Sequence, residues 1–550
     1  MASVVKSSRS LGHRAPLLWL VLPLIAGIVA GRYGPHLRPA WLLAGATMAA
    51  VLAILAAWRA PRRWAWPLCA ALLLAGDASY TLHRARLTAW AQLPTREARL
   101  SLHVDRTFPQ NDRRKAAGLA TILRADEHLP DLAGQRIYFS LALRKGEAPP
   151  IRSTVISTVG VLTPLPENPA ATSFDGYLAD AGMNFRLARG RLLAIEQPPT
   201  RYRLFCERLA RRLNAILSAG VASKRPALVA VYRAMMLGQK HELSDAQDQL
   251  FMHSGTMHLF AINGLHIGVV AVAIHALLLL ARCPRLIVAG LTLAILWLDV
   301  DTTGASPSAV RAWLLVAAGE AAFALRLPAN GVSALSAAAL LVLLLQPMAL
   351  FSASFQMSYG VVLAILCFGL PFAEWLAARW PPWPNLPEIT WTWWQRWSAF
   401  LLRKFWPVFG LGVAAWLVGA VTGAAFYGAF TPGGLIANLV LVPLAMLVII
   451  AGFASIATGL AGLGTVSVLF NHAAIVVLTV IDALIRLGQH VPGIWWPAAW
   501  RAPWLATVTL TILLAVVLAG YARGWTGWCR GFWPPFAVVA LGLIFGVKFG

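Results

Sequence analysis

The sequence predicts an α-helical polytopic membrane protein with a small extramembrane β domain inserted near its N-terminus. Three observations predict it. Of the 550 residues, 59% are hydrophobic and only 12% charged, where a soluble globular chain carries about 25% charged residues. The apolar residues come in long runs, the mark of membrane spans. Between two groups of such runs lie about a hundred residues (98–197) without one, in which short apolar stretches alternate with turn residues.

Taken in order, three apolar runs come first, near 15–33, 40–58 and 64–82, and residues 1–85 are expected to form a three-helix membrane segment. The first run lacks a small-residue cleavage site and is expected to be a retained span. Lys6, Arg9 and Arg14 precede it, and Arg59, Arg62 and Arg63 separate the second run from the third. This bias puts the N-terminus in the cytoplasm and residues 98–197 on the outer side. There the stretches Leu100–Val104, Ala117–Leu123, Arg136–Leu143, Thr154–Leu162, Asn184–Leu187 and Leu192–Ile195 are spaced as short strands. They predict a small barrel or sandwich, OB-like in length. Phe108, Tyr138 and Phe139 are its clearest aromatic candidates for a stacking surface.

Residues 200–225 then carry a basic amphipathic helix. Tyr202, Phe205, Leu209, Leu213 and Ile216 recur at helical spacing, with Arg201, Arg203, Arg208, Arg211 and Arg212 between them. Such a helix is expected in the membrane interface, against lipid. From residue 226 to 550 follow about ten apolar runs. Segment 380–407 interrupts them with seven tryptophans and is expected at headgroup level.

Net charge is +24. The stretch 83–225 holds 23 Lys and Arg against 12 Asp and Glu, an excess of 11. Basic loops that set orientation and bind anionic lipid account for such an excess; so does a polyanionic substrate. Arg113, Arg114, Lys115, Arg144 and Lys145 are the densest candidates for phosphate contact. The five cysteines are scattered without a CxxC pair, which argues against a disulfide framework or a zinc cluster. His258 and His266 are eight residues apart, about 12 Å of helical rise, too far to share one metal on a straight helix. No GxxxxGK[ST] loop, GxSxG elbow or HExxH motif occurs. The expectation is a protein that is not an enzyme, needs no cofactor or metal, and is not driven by nucleotide hydrolysis of its own.

Several polar residues stand inside apolar runs, where they are costly and call for a partner or a wet path. Asn263 and His266 share a helix face, flanked by Gly264 and Gly268, whose spacing suits close approach of a second helix. Arg311 sits one turn into a run opened by Ser306 as a cap and Pro307 in the first turn; Asp299, Asp301 and Glu320 are its candidate ion-pair partners. Gln356 and Asn438 are isolated, and Pro443 is expected to break the helix beyond Asn438.

The stretch Gly255-Thr-Met-His-Leu-Phe-Ala-Ile-Asn-Gly-Leu-His-Ile-Gly268 resembles the signature of the ComEC-type competence proteins, the inner-membrane DNA-uptake channels of naturally transformable bacteria. The usual pattern has serine at Met257 and Asn263. Met236-Leu-Gly238 with Leu250–Gly255, Ser308–Trp313, Gln346–Ser358, Asn438–Pro443 and Phe174–Leu178 with Gly182 resemble further family segments, in the family's order. The resemblance implies an OB-like domain on the outer side and a competence-type channel domain in the inner membrane. It implies import of single-stranded DNA during natural transformation. His258, Asn263, Gly264, His266, Gly268, Arg311, Gln356 and Asn438 would line or shape the path. A DNA receptor outside, a cytoplasmic translocase or strand-binding protein and membrane lipid would be its partners, with self-association left open. Many members carry a C-terminal metallo-β-lactamase-like domain; this sequence ends at Gly550 on an apolar run, so a separate nuclease is expected. Transport of another polymer or anion, or a membrane-embedded enzyme, are the alternative readings.

Overall fold

The computed structural model describes residues 15–550 except 36, 60–62, 89–92, 109, 111, 113, 127–131, 167, 168, 170–172, 257–263, 328, 329 and 526–530. Three helices come first: α1 (Leu18–Tyr33), α2 (Pro39–Arg59) and α3 (Ala65–Thr88). Glycines set how closely α1 and α3 pack. A Cβ on Gly27 would lie 1.9 Å from the Leu73 carbonyl oxygen, and one on Gly76 would lie 2.5 Å from that of Leu24. Only hydrogen fits there, so the two backbones touch. Val21, Leu24, Ile28 and Tyr80 continue this contact into a core shared with Leu343, Met348 and Phe355.

The β domain is a closed five-stranded barrel: β1 (Arg96–Phe108), β2 (Lys115–Ala125), β3 (Arg136–Ala142), β4 (Val155–Pro164) and β5 (Phe185–Gln197), with helix α4 (Phe174–Asp180) between β4 and β5. Around the barrel the order is β1-β2-β3-β5-β4, closed by β1 on β4; β3 and β5 run parallel, the other pairs antiparallel. This is the OB-like domain expected from strand spacing. Inward alternation of Leu100, Leu102, Val104, Ile122, Ile137, Leu141, Ile156 and Phe185 fills it. The stretches expected as two strands near 184–187 and 192–195 form the single strand β5. Arg189, at φ 52°, and Gly190 take up the irregularity between them as a bulge. Phe139 points into this core and is fully buried. Of the three aromatic residues expected on the surface, Phe108 and Tyr138 remain there.

The rest is helical: α5 (Arg201–Ser218), α6 (Pro226–Leu237), α7 (Asp245–His253), α8 (Gly264–Leu280), α9 (Arg285–Thr302), α10 (Pro307–Ala324) and α11 (Gly331–Leu345). A 3-10 turn, Pro347–Phe351, leads to α12 (Ala353–Ala364), which passes through a π turn (Ile365–Gly369) into α13 (Leu370–Arg379). Then come α14 (Trp393–Phe426), β6 (Ala429–Phe430), α15 (Gly434–Leu460), α16 (Gly464–Gln489), β7 (Trp496–Trp500), α17 (Pro503–Ala522), α18 (Pro534–Gly546) and β8 (Val547–Phe549). Among the described residues six helical segments are long and apolar enough to cross a membrane: α2, α12 with α13, α14, α15, α16 and α17. The protein is a multi-pass membrane protein.

Two elements depart from expectation. Helix α14 begins at Trp393, inside the tryptophan-rich segment, and not near residue 408. Gln395 accepts from the Thr392 N–H at 2.9 Å, a capping box that starts the helix there. Helix α15 runs unbroken through Pro443; packing of Leu441, Ala445, Val448 and Ile449 against α6 and α16 holds it.

Because backbone contact sets the α1–α3 distance, Gly76→Val is expected to destabilise the protein by about 1–3 kcal/mol through overpacking. Gly290→Ala, with open space around its Cβ position, is expected to leave stability within about 0.5 kcal/mol. Thermal unfolding in detergent checks both; equal midpoints for the two variants would refute the contact.

Candidate functional site

Asp301 lies in the last turn of α9, where the helix dipole disfavours a negative charge. Its side chain is 1% exposed. Three groups from two other parts of the chain compensate it. Arg152, on the β3–β4 loop of the barrel, places Nη1 2.8 Å from Oδ1, and Arg203 of α5 places Nη1 2.9 Å from the same oxygen. The Tyr202 hydroxyl donates to Oδ2 at 2.9 Å. One carboxylate thus clasps the barrel, α5 and the helical domain together. Helix α5 packs its buried face, Cys206, Leu213 and Leu217, across α9, α15 and α16. Asn471 of α16 donates to the carbonyls of Ile216 and Ala219 at 2.8 and 3.1 Å and fixes its far end. The outward face of α5 mixes Arg201, Arg208, Arg211 and Arg212 with Leu204 and Phe205.

A short turn, Thr303–Ala305, separates α9 from the next helix. Helix α10 starts at Pro307 with Ser306 as its cap, the Ser306 hydroxyl accepting from the Ala309 N–H at 3.3 Å. Arg311 stands one turn into α10 and is 6% exposed. None of its expected carboxylate partners reaches it. Asp301 is taken by the clasp, and Glu320 pairs with His275 of α8 at 2.8 Å. Among the described residues Arg311 makes no ion pair. Its Nη2 donates to the Ser354 carbonyl at 2.8 Å and lies 2.6 Å from the Ser354 hydroxyl, at the start of α12. Its Nε, and the buried hydroxyl of Tyr359 further along α12, have no hydrogen-bond partner among the described residues. This is a buried cation held by neutral groups.

The other expected residues fall into three groups. His258 and Asn263 lie outside the described residues. Gly264 and Gly268 open α8, and among the described residues no atom lies within 4 Å of a Cβ at either. His266, between them, is buried in the first turn of α8. Gln356 donates to the Leu350 carbonyl at 3.3 Å and braces the 3-10 turn before α12. The Oδ1 of Asn438, one turn into α15, is buried without a partner among the described residues. The start of the signature comes close to this helix: a Cβ on Gly255 (φ 70°) would meet Thr431 Oγ1 at 2.9 Å and the Gly434 Cα at 3.5 Å.

On the barrel, Arg113 lies outside the described residues, but the other four basic candidates share one rim. The Leu143 N–H donates to the Arg114 carbonyl at 2.7 Å, and Lys115 pairs with Ala142 in register. Arg114, Lys115, Arg144 and Lys145 are all exposed there. Asp112 and Glu147 brace the two turns by accepting from the backbone N–H groups of Arg114 and Arg144. Elsewhere on the barrel, burial lowers the pKa of Arg106; Tyr177 opposes that shift and the neighbouring Arg152 adds to it. Burial likewise raises the pKa of the Tyr138 phenol.

The family model described as Competence protein matches residues 235–521, just over half of the chain. The chain belongs to the Competence family. The match begins in α6 and ends in α17, so Arg311, Gln356 and Asn438 all lie in the family region. The chain is also similar to ComE operon protein 3 of Bacillus subtilis (strain 168), with 28% identity over 141 residues, 26% of this chain and 18% of that protein. The similarity thus spans less than a fifth of the curated relative's length. No solved structure matches the chain.

Sequence reasoning missed the clasp. An aspartate in the last turn of α9 signals a cationic partner, but Arg152 is 149 residues away. Asp301→Ala leaves Arg152 and Arg203, both partly exposed, without their counter-charge, and is expected to destabilise the protein by less than the cost of breaking a fully buried pair, about 3–5 kcal/mol. Hydrogen exchange is expected to rise in α5 and the β3–β4 loop while the barrel strands stay protected. Unchanged exchange in both segments would contradict the clasp.

Proposed function

We propose that this chain is the inner-membrane conduit of a DNA-uptake system and passes single-stranded DNA across the bilayer, with the barrel on the outer side. The observation that carries the reading is Arg311. A buried, unpaired charge is costly in a membrane domain. It is tolerable where water or a passing anion supplies what the protein does not. A phosphodiester at that point would accept from the guanidinium, with the Ser354 hydroxyl beside it. One cation binds a phosphate firmly enough to admit it and weakly enough to release it to the next. Family membership supports DNA as the cargo, and the basic rim of the OB-like barrel supports a phosphate-tracking entry.

The chain contributes the path in this reading, and not the chemistry or the force. A cytoplasmic translocase or strand-binding protein would pull, a receptor would deliver the strand, and a separate nuclease would remove its complement. The exposed face of α5 suits anionic lipid at the interface.

Uptake of labelled single-stranded DNA into proteoliposomes tests the reading. Arg311→Ala is expected to lower the rate about tenfold or more, roughly 1.4 kcal/mol, with the fold intact by thermal unfolding. Arg311→Lys is expected to restore part of it, since the charge returns without the planar fork. Uptake by the alanine variant at the parent rate would refute the role of Arg311. Replacing Arg114, Lys115, Arg144 and Lys145 with alanine is expected to reduce the salt dependence of DNA binding by about 0.7 log units per lost phosphate contact, about 3 in all. An unchanged slope would move DNA entry away from this rim.

A further inference from the structure

Four aromatic rings gather on one side of the barrel. Phe108 ends β1, Tyr138 lies on β3, and Phe174 and Tyr177 lie on α4. Phe108 and Tyr138 are stacked with centroids 6.2 Å apart, and Phe174 and Tyr177 are stacked at 6.1 Å. Tyr138 meets Phe174 edge to face at 5.1 Å, and Phe108 meets Tyr177 at 6.5 Å. The four contacts close a ring of rings. Guanidinium groups attend it on two sides: Arg106 stands 5.4 Å from the Phe108 centroid and Arg186 stands 6.0 Å from that of Tyr138. Asp175 offsets part of the Arg186 charge at 3.8 Å.

The inner edge of this cluster, with Leu119, Leu165, Leu178 and Met183, is core. The outer edge is not. Phe174 is 46% exposed and Tyr177 43% exposed. Packing of the barrel therefore accounts for about half of each residue and leaves the other half open. Flat aromatic faces beside cations are the surface on which unpaired bases stack while their phosphates find charge. Helix α4 also packs on the 3-10 turn Pro347–Phe351, three residues before Ser354, the partner of Arg311. A strand held by these rings is held beside the helical domain.

We infer that Phe174 and Tyr177, backed by Phe108 and Tyr138, form a base-stacking platform that makes the barrel select single-stranded DNA. The inference rests on the DNA reading above and adds the part of the strand that is recognised: the base, not the phosphate. A duplex hides its base faces, so the platform discriminates against it.

The test uses the full chain in nanodiscs and fluorescence anisotropy with three probes: a single-stranded oligonucleotide, the same length as an abasic strand, and a duplex. Phe174→Ala with Tyr177→Ala is expected to weaken binding of the single strand about tenfold, to leave the abasic strand unchanged, and to erase the preference over duplex. Phe174→Trp with Tyr177→Trp is expected to retain the preference, which separates loss of stacking from loss of fold. Equal weakening on the single and abasic strands would overturn the platform, because the effect would then lie in charge or fold. No weakening on either would overturn it too. In both cases an effect of the rim substitutions would leave the DNA reading standing. A parent chain that binds none of the three probes would bring down both.

Discussion

The arrangement of this protein depends on burying one carboxylate at the wrong end of a helix. Asp301 sits where the dipole of α9 and the lack of water both oppose its charge. It is stable there only because Arg152 comes down from the barrel and Arg203 and Tyr202 come across from α5. Those contacts join the barrel, α5 and the end of α9. Together with the packing of α4 on the 3-10 turn Pro347–Phe351, they set where the barrel stands against the helices.

Arg311 is the complementary case. Two cations converge on Asp301, yet among the described residues no anion reaches Arg311, ten positions further along the chain. Glu320, the acid of its own helix, is engaged by His275. In the function proposed above, the Arg311 charge is met by the phosphates of a passing strand. In the same proposal the basic rim and the aromatic rings of the barrel are where the strand enters.

The fold was largely legible because its strongest signals are local. Apolar run length located α1, α2 and the start of α3 to within three residues, though α3 runs on to Thr88, and alternation located the five barrel strands. Ser306 and Pro307 marked the start of α10 where the structure has it. The errors have physical causes. A bulge at Arg189–Gly190 hides in a gap between apolar stretches, so β5 read as two strands. The capping box at Thr392 lies in a segment whose tryptophans suggested surface, so α14 read as starting late. Pro443 removes one hydrogen bond, and the packing of α15 outweighs it. The site was legible only residue by residue. Arg311, Gln356 and Asn438 stood out as polar groups in apolar runs. The partner of Arg311 did not, nor did those of Asp301, because Ser354, Arg152 and Tyr202 are brought in by tertiary contact over long separations. The placing of Arg114 and Arg144 on one rim, and the contact of Phe108 with Tyr177, likewise exist only in the folded barrel.

In the proposed function the clasp couples a DNA-holding barrel to a conducting helical domain. DNA binding and DNA uptake measured on the same proteoliposomes carrying Asp301→Ala test it most directly. Binding is expected to stay within about twofold of the parent while uptake falls about tenfold or more. Uptake at the parent rate, with the clasp gone, would contradict it.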